Sequence, residues 1–279
     1  MRSDGGAMTP GISVLMAVYN NEKSAGESIR SIAEQTFTDW EMIVIDDAST
    51  DGTPQILADW ARRDARIRVY SNRENRGLAA SLNKALGFSR GGYIARMDGD
   101  DVSFPRRFEK QAAFLESNAQ YAIVSSSCVL FDEKGEWGFR GCIQRPQKKD
   151  FLWGSCFLHP AVMMRRDALI SVGGYRVCRD TLRAEDYDLF MRMYAKGYTG
   201  YNFEEPLLYY YESREPKPVS FGARISEAKV RWAGFKELGL LPAGLAYVFK
   251  PVAVGMLPRR MKRFLQRRTG GYREADPDA

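Results

Sequence analysis

Residues 96–101 read RMDGDD, so Asp98, Asp100 and Asp101 fall within four positions directly after the apolar-leaning stretch GGYIARM. Carboxylates that close repel one another unless a cation sits among them. A D-x-D triplet on a tight turn can hold a hard divalent metal through oxygen, and Gly99 permits the turn that brings both carboxylates to one side. Taken alone, the triplet equally describes a solvated acidic turn. A second acidic pair, Asp46 and Asp47, closes the stretch MIVIDD, and a third group, Glu185, Asp186 and Asp188, opens EDYDLFMRM. In that third group Asp186 shares a helical face with Leu189, Phe190 and Met193, whereas Asp188 is spaced to pair with Arg192 at i, i+4. Acids also suit a helix N-terminus in their own right, which is the structural alternative for all three.

These side chains need elements to position them. Apolar runs rich in β-branched and aromatic residues at 12–19, 40–46, 67–71 and 93–97 predict strands. Between them Ile29, Ile32 and Ala33, then Ile56, Leu57 and Trp60, then Leu78, Leu82 and Leu86 recur at helical spacing. Strand, helix, strand at that interval is a βαβ crossover, so an α/β fold follows, doubly wound around a mostly parallel sheet. Ser49, Thr50 and Asp51 precede Gly52, Thr53 and Pro54, which suits a helix start. The acidic groups therefore collect in loops at the C-terminal ends of strands, where open α/β sheets bind ligands. Beyond residue 103 the pattern is less regular: 104–117 reads as a helix, 122–131 as a strand, DEKGE as a turn, and a further helix begins near Glu185.

Composition is that of an ordinary globular protein, with 44% hydrophobic and 27% charged residues in 279. The four cysteines show no CxxC spacing, which argues against a zinc site or a dense disulfide framework and predicts free thiols in a reducing compartment. The start, MRSDGGAMTPG, has no apolar run and reads as a flexible leader over 1–11 with Met8 as an alternative start, not as a signal peptide. Residues 238–273 carry eight basic residues and no acid in a chain whose net charge is +6, so the basic character belongs to the tail.

The segments ISVLMAVYNNE, MIVIDDASTDGT, NRGLAASLNKAL, GGYIARMDGDD and AEDYDLFMRM, in this order, resemble the family 2 glycosyltransferases of GT-A fold that act in bacterial surface polysaccharide assembly. The likeness covers about residues 11–212. It implies an inverting, nucleotide-sugar-dependent transferase that uses Mn²⁺ or Mg²⁺, with a nucleotide-binding half over 12–103 and an acceptor half over 104–212. Carried over by position, it assigns Ala17, Tyr19 and Glu22 to the nucleotide pocket, where the family commonly has proline in place of Ala17. Asp46 and Asp47 would hold the base, with Asp47 slightly favoured; the alternative is that Asp47 and Ser49 cap the next helix. Asn75 and Gly77 match an Asn-x-Gly loop beside which Arg76 or Lys84 could offset phosphate charge, although a solvated helix face explains Lys84 as well. Asp98 would contact ribose or metal, Asp100 would be the main metal ligand, and Asp101 a supporting one. Asp186 would be the catalytic base, with Glu185 beside it. His159, the only histidine, could reach diphosphate, metal or acceptor or be structural, and Trp153 could line the acceptor face or be core.

The segment 238–258 is interrupted by Pro242, Lys250, Pro251 and Pro258, which argues against a membrane span. RRMKRFLQRR places Met261, Phe264 and Leu265 among six cations, so 213–279 is expected to be a helical, basic extension that meets an anionic membrane surface. No reader motif supports nucleic-acid binding. Polymerising family members carry a Q-x-x-R-W motif; EAKVRW at 227–232 has the Arg-Trp without the glutamine. Together these readings predict a peripheral cytoplasmic enzyme at the inner face of the membrane that adds a single sugar, in preference to processive synthesis, from a UDP-linked donor to a lipid-linked or polysaccharide acceptor. Two rivals are a sugar nucleotidyltransferase, for which AVYNNEKSAGES makes a poor phosphate loop, and a catalytically silent binding protein on the same fold.

Overall fold

The computed structural model describes residues 10–181, 183–214, 219–256 and 272–274. The expected leader, Met8 included, lies outside them up to residue 9, as does the amphipathic segment at 259–268. The four expected strands form as β1 Ile12–Val18, β2 Trp40–Asp46, β3 Ile67–Ser71 and β4 Tyr93–Met97, joined by α1 Ala25–Ala33, α2 Thr53–Arg63 and α3 Leu78–Phe88. They pair in parallel in the order β3-β2-β1-β4. Their apolar runs are continuous because both faces are covered. Val14, Met16 and Val18 pack with Ile29, Ile32 and Leu57 on one face, while Leu15 packs with Leu82, Ala85 and Phe190 on the other. Alternate side chains of one strand therefore serve two cores.

The second half is built differently. It contains β5 Val102–Ser103, α4 Arg107–Ser117, β6 Ile123–Asp132, β7 Gly135–Arg140, β8 Met163–Arg165, α5 Arg166–Ser171, α6 Glu185–Ala195 and β9 Gly200–Tyr211. β8 runs antiparallel between β4 and β6, with Met164 opposite both Ile94 and Ile123, and so joins the halves into one sheet. β9 lies parallel to β6 and antiparallel to β5. Helices α7 Phe221–Glu237 and α8 Leu245–Met256 follow, α7 packing on α6 and on α8. Pro251 sits inside α8, and no helix among the described residues is long and apolar enough to cross a membrane. Strand β10 Tyr272–Glu274 returns antiparallel to β7. All four cysteines are free.

Candidate functional site

The loop after β1 is laced to the loop after β2. Asn20, at φ 52°, accepts from the Thr50 N–H at 2.8 Å and donates its own N–H to Ser49 Oγ at 3.0 Å. Asn21 N–H reaches Thr53 Oγ1 at 2.8 Å, and Glu22 Oε2 accepts from the Gly52 N–H at 2.8 Å. Of the residues expected to line a nucleotide pocket here, Ala17 is half-buried, Tyr19 is exposed, and Glu22 is tied to the start of α2.

Asp47 organises the next wall. Its carboxylate accepts from Asn72 Nδ2 (2.6 Å), the backbone N–H groups of Arg76 (3.0 Å) and Gly77 (2.8 Å), and Ser81 Oγ (3.0 Å). Burial would raise its pKa, but these donors outweigh burial and hold the carboxyl below the usual range. The carboxylate thus shapes the 72–81 loop rather than capping α2. Gly77 turns into α3 at φ 82°, a conformation that glycine adopts without a Cβ penalty, and Asn75 is exposed on the loop. Buried Asp46 accepts from the Ser49 N–H at 3.0 Å. Lys84, expected to offset phosphate charge, instead donates to Ser71 O and Asn72 Oδ1, both at 2.8 Å, and so supports the Asn72–Asp47 contact.

The turn after β4 has the opposite character. One ligand oxygen from each of Asp98, Asp100 and Asp101 lies within 4.8 Å of the others. A Cβ on Gly99 would come within 2.7 Å of Val18 Cγ1, so the turn presses directly on the end of β1. Burial, then the charge of Asp98, pushes the Asp100 carboxyl up to about 6. Asp101 is buried; its Oδ1 accepts from the Tyr211 N–H at 2.8 Å, Oδ2 has no partner, and burial followed by the charges of Asp98 and Asp100 raises it well above 3.8. Buried Arg96 places Nη1 2.5 Å from Asp98 Oδ1, while its Nε and Nη2 have no hydrogen-bond partner. Two buried guanidiniums, Arg96 ion-paired with Asp98 and Arg107 acting on Asp101 through its charge, stand against three carboxylates, which leaves excess negative charge on hard oxygen donors, including an orphaned buried oxygen. That donor set fits Mg²⁺ or Mn²⁺.

The start of α6 completes the crevice. Asp186 is half-buried; burial, then the charge of Glu185, pushes it up to about 6, against the opposing effect of the nearby Ser155 side chain, whose hydroxyl donates to Phe157 O at 3.2 Å. Half-buried Glu185 is raised by burial. Asp188 is buried against Arg176 Nη1 (2.8 Å) and Arg192 Nε (2.7 Å), an ion-pair role. His159 Nε2 lies 2.8 Å from the Tyr175 hydroxyl, and burial, helped by Arg96, holds its pKa well below 6.5, so the ring is neutral. Tyr175 is fixed by Asn83 of α3, and its hydroxyl feels Arg96, Asp186, Glu185 and Asp98. It therefore links the acidic turn to α6. Neither Arg96 nor Tyr175 was singled out by sequence; the one available signal was a lone cation inside the β4 run. Trp153 is exposed at 59%, so it is not core. Its ring packs edge-on against Tyr247 at 5.0 Å beneath Lys250, whose Nζ donates to Trp153 O at 2.8 Å. A cavity of about 240 Å³ opens at Asp186, between Ser155, Arg183, Glu227 and Arg231.

The site thus pairs a turn of three clustered carboxylates with a carboxylate of raised pKa at the start of α6, and the Tyr175 hydroxyl feels charges from both. The family model for glycosyl transferase family 2 matches residues 13–173. A putative glycosyltransferase, EpsE, of Bacillus subtilis is 40% identical over 271 residues, spanning 95% of this chain and 96% of that protein. Among solved structures, S. aureus TarS 1-349 in complex with UDP-GlcNAc superposes with TM-score 0.67 at 20% identity, covering 87% of this chain and 73% of TarS. The mannosyltransferase PcManGT of Pyrobaculum calidifontis, in complex with GDP-Man and Mn²⁺, gives TM-score 0.60 at 20% identity, covering 94% of this chain and 76% of that one. The architecture is that of a GT-A fold, and the chain belongs to glycosyl transferase family 2.

Proposed function

We propose that the protein transfers one sugar from a nucleotide-sugar donor, UDP-linked by preference, to a hydroxyl of a lipid-linked or polymeric surface saccharide, with inversion at the anomeric carbon. The observation that carries this reading is the placement of Asp186, at a pKa of about 6 on the wall of a 240 Å³ cavity, near enough to the acidic turn that the Tyr175 hydroxyl feels the charges of both Asp186 and Asp98. A carboxylate raised toward neutrality is a better general base than an ordinary one. Asp186 accepts the acceptor's hydroxyl proton while that oxygen bonds to the anomeric carbon; the carbon–oxygen bond to the diphosphate breaks and its electron pair leaves with the nucleotide. Ser155 lines the same cavity as Asp186, and neutral His159 holds the Tyr175 hydroxyl at 2.8 Å. Arg96 holds Asp98 in place. Asp98 and Asp100, supported by Asp101, would hold a divalent ion, which would supply positive charge for the departing diphosphate. The Mn²⁺ in PcManGT and the UDP-GlcNAc in TarS support the metal and donor class.

Asp46 and the Tyr19–Glu22 loop form the base side of the donor pocket in this reading, with Asp47 setting the shape of the Asn75–Gly77 loop. Ala228 stands where the polymerising motif has glutamine, which favours single addition. The basic tail is assigned to an anionic inner membrane face on charge alone. The test is Asp186→Asn: transfer should fall by about 10²–10⁴-fold while UDP affinity in Mn²⁺ is retained. A fully active variant moves the base elsewhere.

A further inference from the structure

A larger cavity, of about 560 Å³, opens beside the one at Asp186, lined by Arg179, Asp180, Arg183, Gly222, Ser226 and Lys229. Arg183 lines both cavities. We propose that this cavity binds a phosphate or diphosphate ester carried by the acceptor sugar, so that the sugar ring reaches Asp186 while its anionic group remains between Arg179 and Arg183.

The charge balance of the walls carries the argument. Lys229 is paired with Asp180 at 2.8 Å, which fixes that side chain on the rim. Among the described residues the guanidiniums of Arg179 and Arg183 have no hydrogen-bond or ion-pair partner, so two exposed planar cations face the same space. Paired guanidinium forks match the oxygens of a phosphate ester better than those of a neutral saccharide. The opposite wall is one face of α7, where Gly222, Ala223, Ser226 and Lys229 recur at helical spacing. Its small side chains keep the space open, and a Cβ on Gly222 would meet nothing within 4 Å. The first turn of α7 carries no acid. An acceptor that enters through this cavity meets the two arginines before it meets the base.

This inference rests on the glycosyl-transfer reading, and the two can fail separately. The probe is inorganic pyrophosphate titrated calorimetrically into the full chain in EDTA, where no metal can bridge a phosphate to the acidic turn. The wild type should bind it, and Arg179→Ala and Gly222→Glu should each weaken binding at least about tenfold. Gly222→Glu enters open space and places an acid in a first helical turn, where it is favourable, so its effect is not unfolding. UDP binding in Mn²⁺ should be unchanged in both variants. Equal pyrophosphate affinity in wild type and variants overturns the site. Loss of UDP binding by the wild type instead overturns the donor reading and leaves this measurement to stand alone. Dodecyl diphosphate binding more tightly than glycerol phosphate dimers assigns a lipid carrier as the source, the reverse order a phosphate-bearing polymer, and either order supports the site.

Discussion

Asp47 and Asp101 are both buried aspartates in loops that follow parallel strands, yet the protein treats them in opposite ways. Asp47 receives four hydrogen bonds from the 72–81 loop, and its pKa falls despite burial. Asp101 receives one, from Tyr211, beside two other carboxylates, and its pKa rises. What separates the two carboxylates is thus the supply of donors, not burial or sequence position. The first loop is complete in itself. The second is left short of donors, with Arg96 ion-paired to Asp98 and Arg107 acting on Asp101 through its charge.

Removing the expected cation should produce the largest effect. EDTA, or Asp100→Asn, should lower transfer by about three orders of magnitude, and the variant should also lose Mn²⁺ binding in a direct titration; full activity in EDTA would erase the contrast between the loops. Asp47→Ala should cost about 2 kcal/mol of stability by chemical denaturation, because it strands buried donors, and should leave Mn²⁺ affinity intact. The loops should also respond to acid with opposite signs. Asp100 titrates near 6 in the folded protein against an ordinary 3.8, so its protonated form favours folding and metal-free stability is lost as pH rises from about 4 to 6. Asp47 titrates below 3.8, so its contribution is present above about pH 4 and is lost as pH falls through its lowered value. Urea midpoints of wild type against Asp100→Asn should therefore diverge across pH 4–6, with the variant gaining; a constant offset breaks the assignment. The smallest effect is expected from Asp101→Asn, which should stabilise the metal-free protein at pH 8 by about 1 kcal/mol while weakening Mn²⁺ binding.

Much of this arrangement was legible in residue order. The apolar runs at 12–18 and 40–46 had to be doubly covered strands, and Asp188 could be separated from Asp186 by its i, i+4 relation to Arg192, which the ion pair at 2.7 Å matches. The fate of Lys84 was not legible, because it depends on where the β3 end lies relative to α3. The four hydrogen bonds that Asp47 receives were not legible for the same reason: its partners come from 25 to 34 residues away. Arg96 and Tyr175 escaped notice since neither belongs to a pattern; they meet only once β8 and the His159 turn have closed against β4. Local periodicity specifies elements, whereas the donor count around a carboxylate is a property of the assembled fold.

The return of the chain at β10 changes how the basic tail can be studied. After α8 ends at Met256, residues 272–274 pair with β7 opposite Gly138–Arg140. A stop codon placed directly after Met256 deletes a strand from the sheet edge together with the cations, and one placed before Lys250 also removes the Nζ hydrogen bond to Trp153 O. Any liposome experiment on a truncated chain would confound lipid affinity with loss of fold. Charge reversal within 259–268 on the intact chain isolates the electrostatic question.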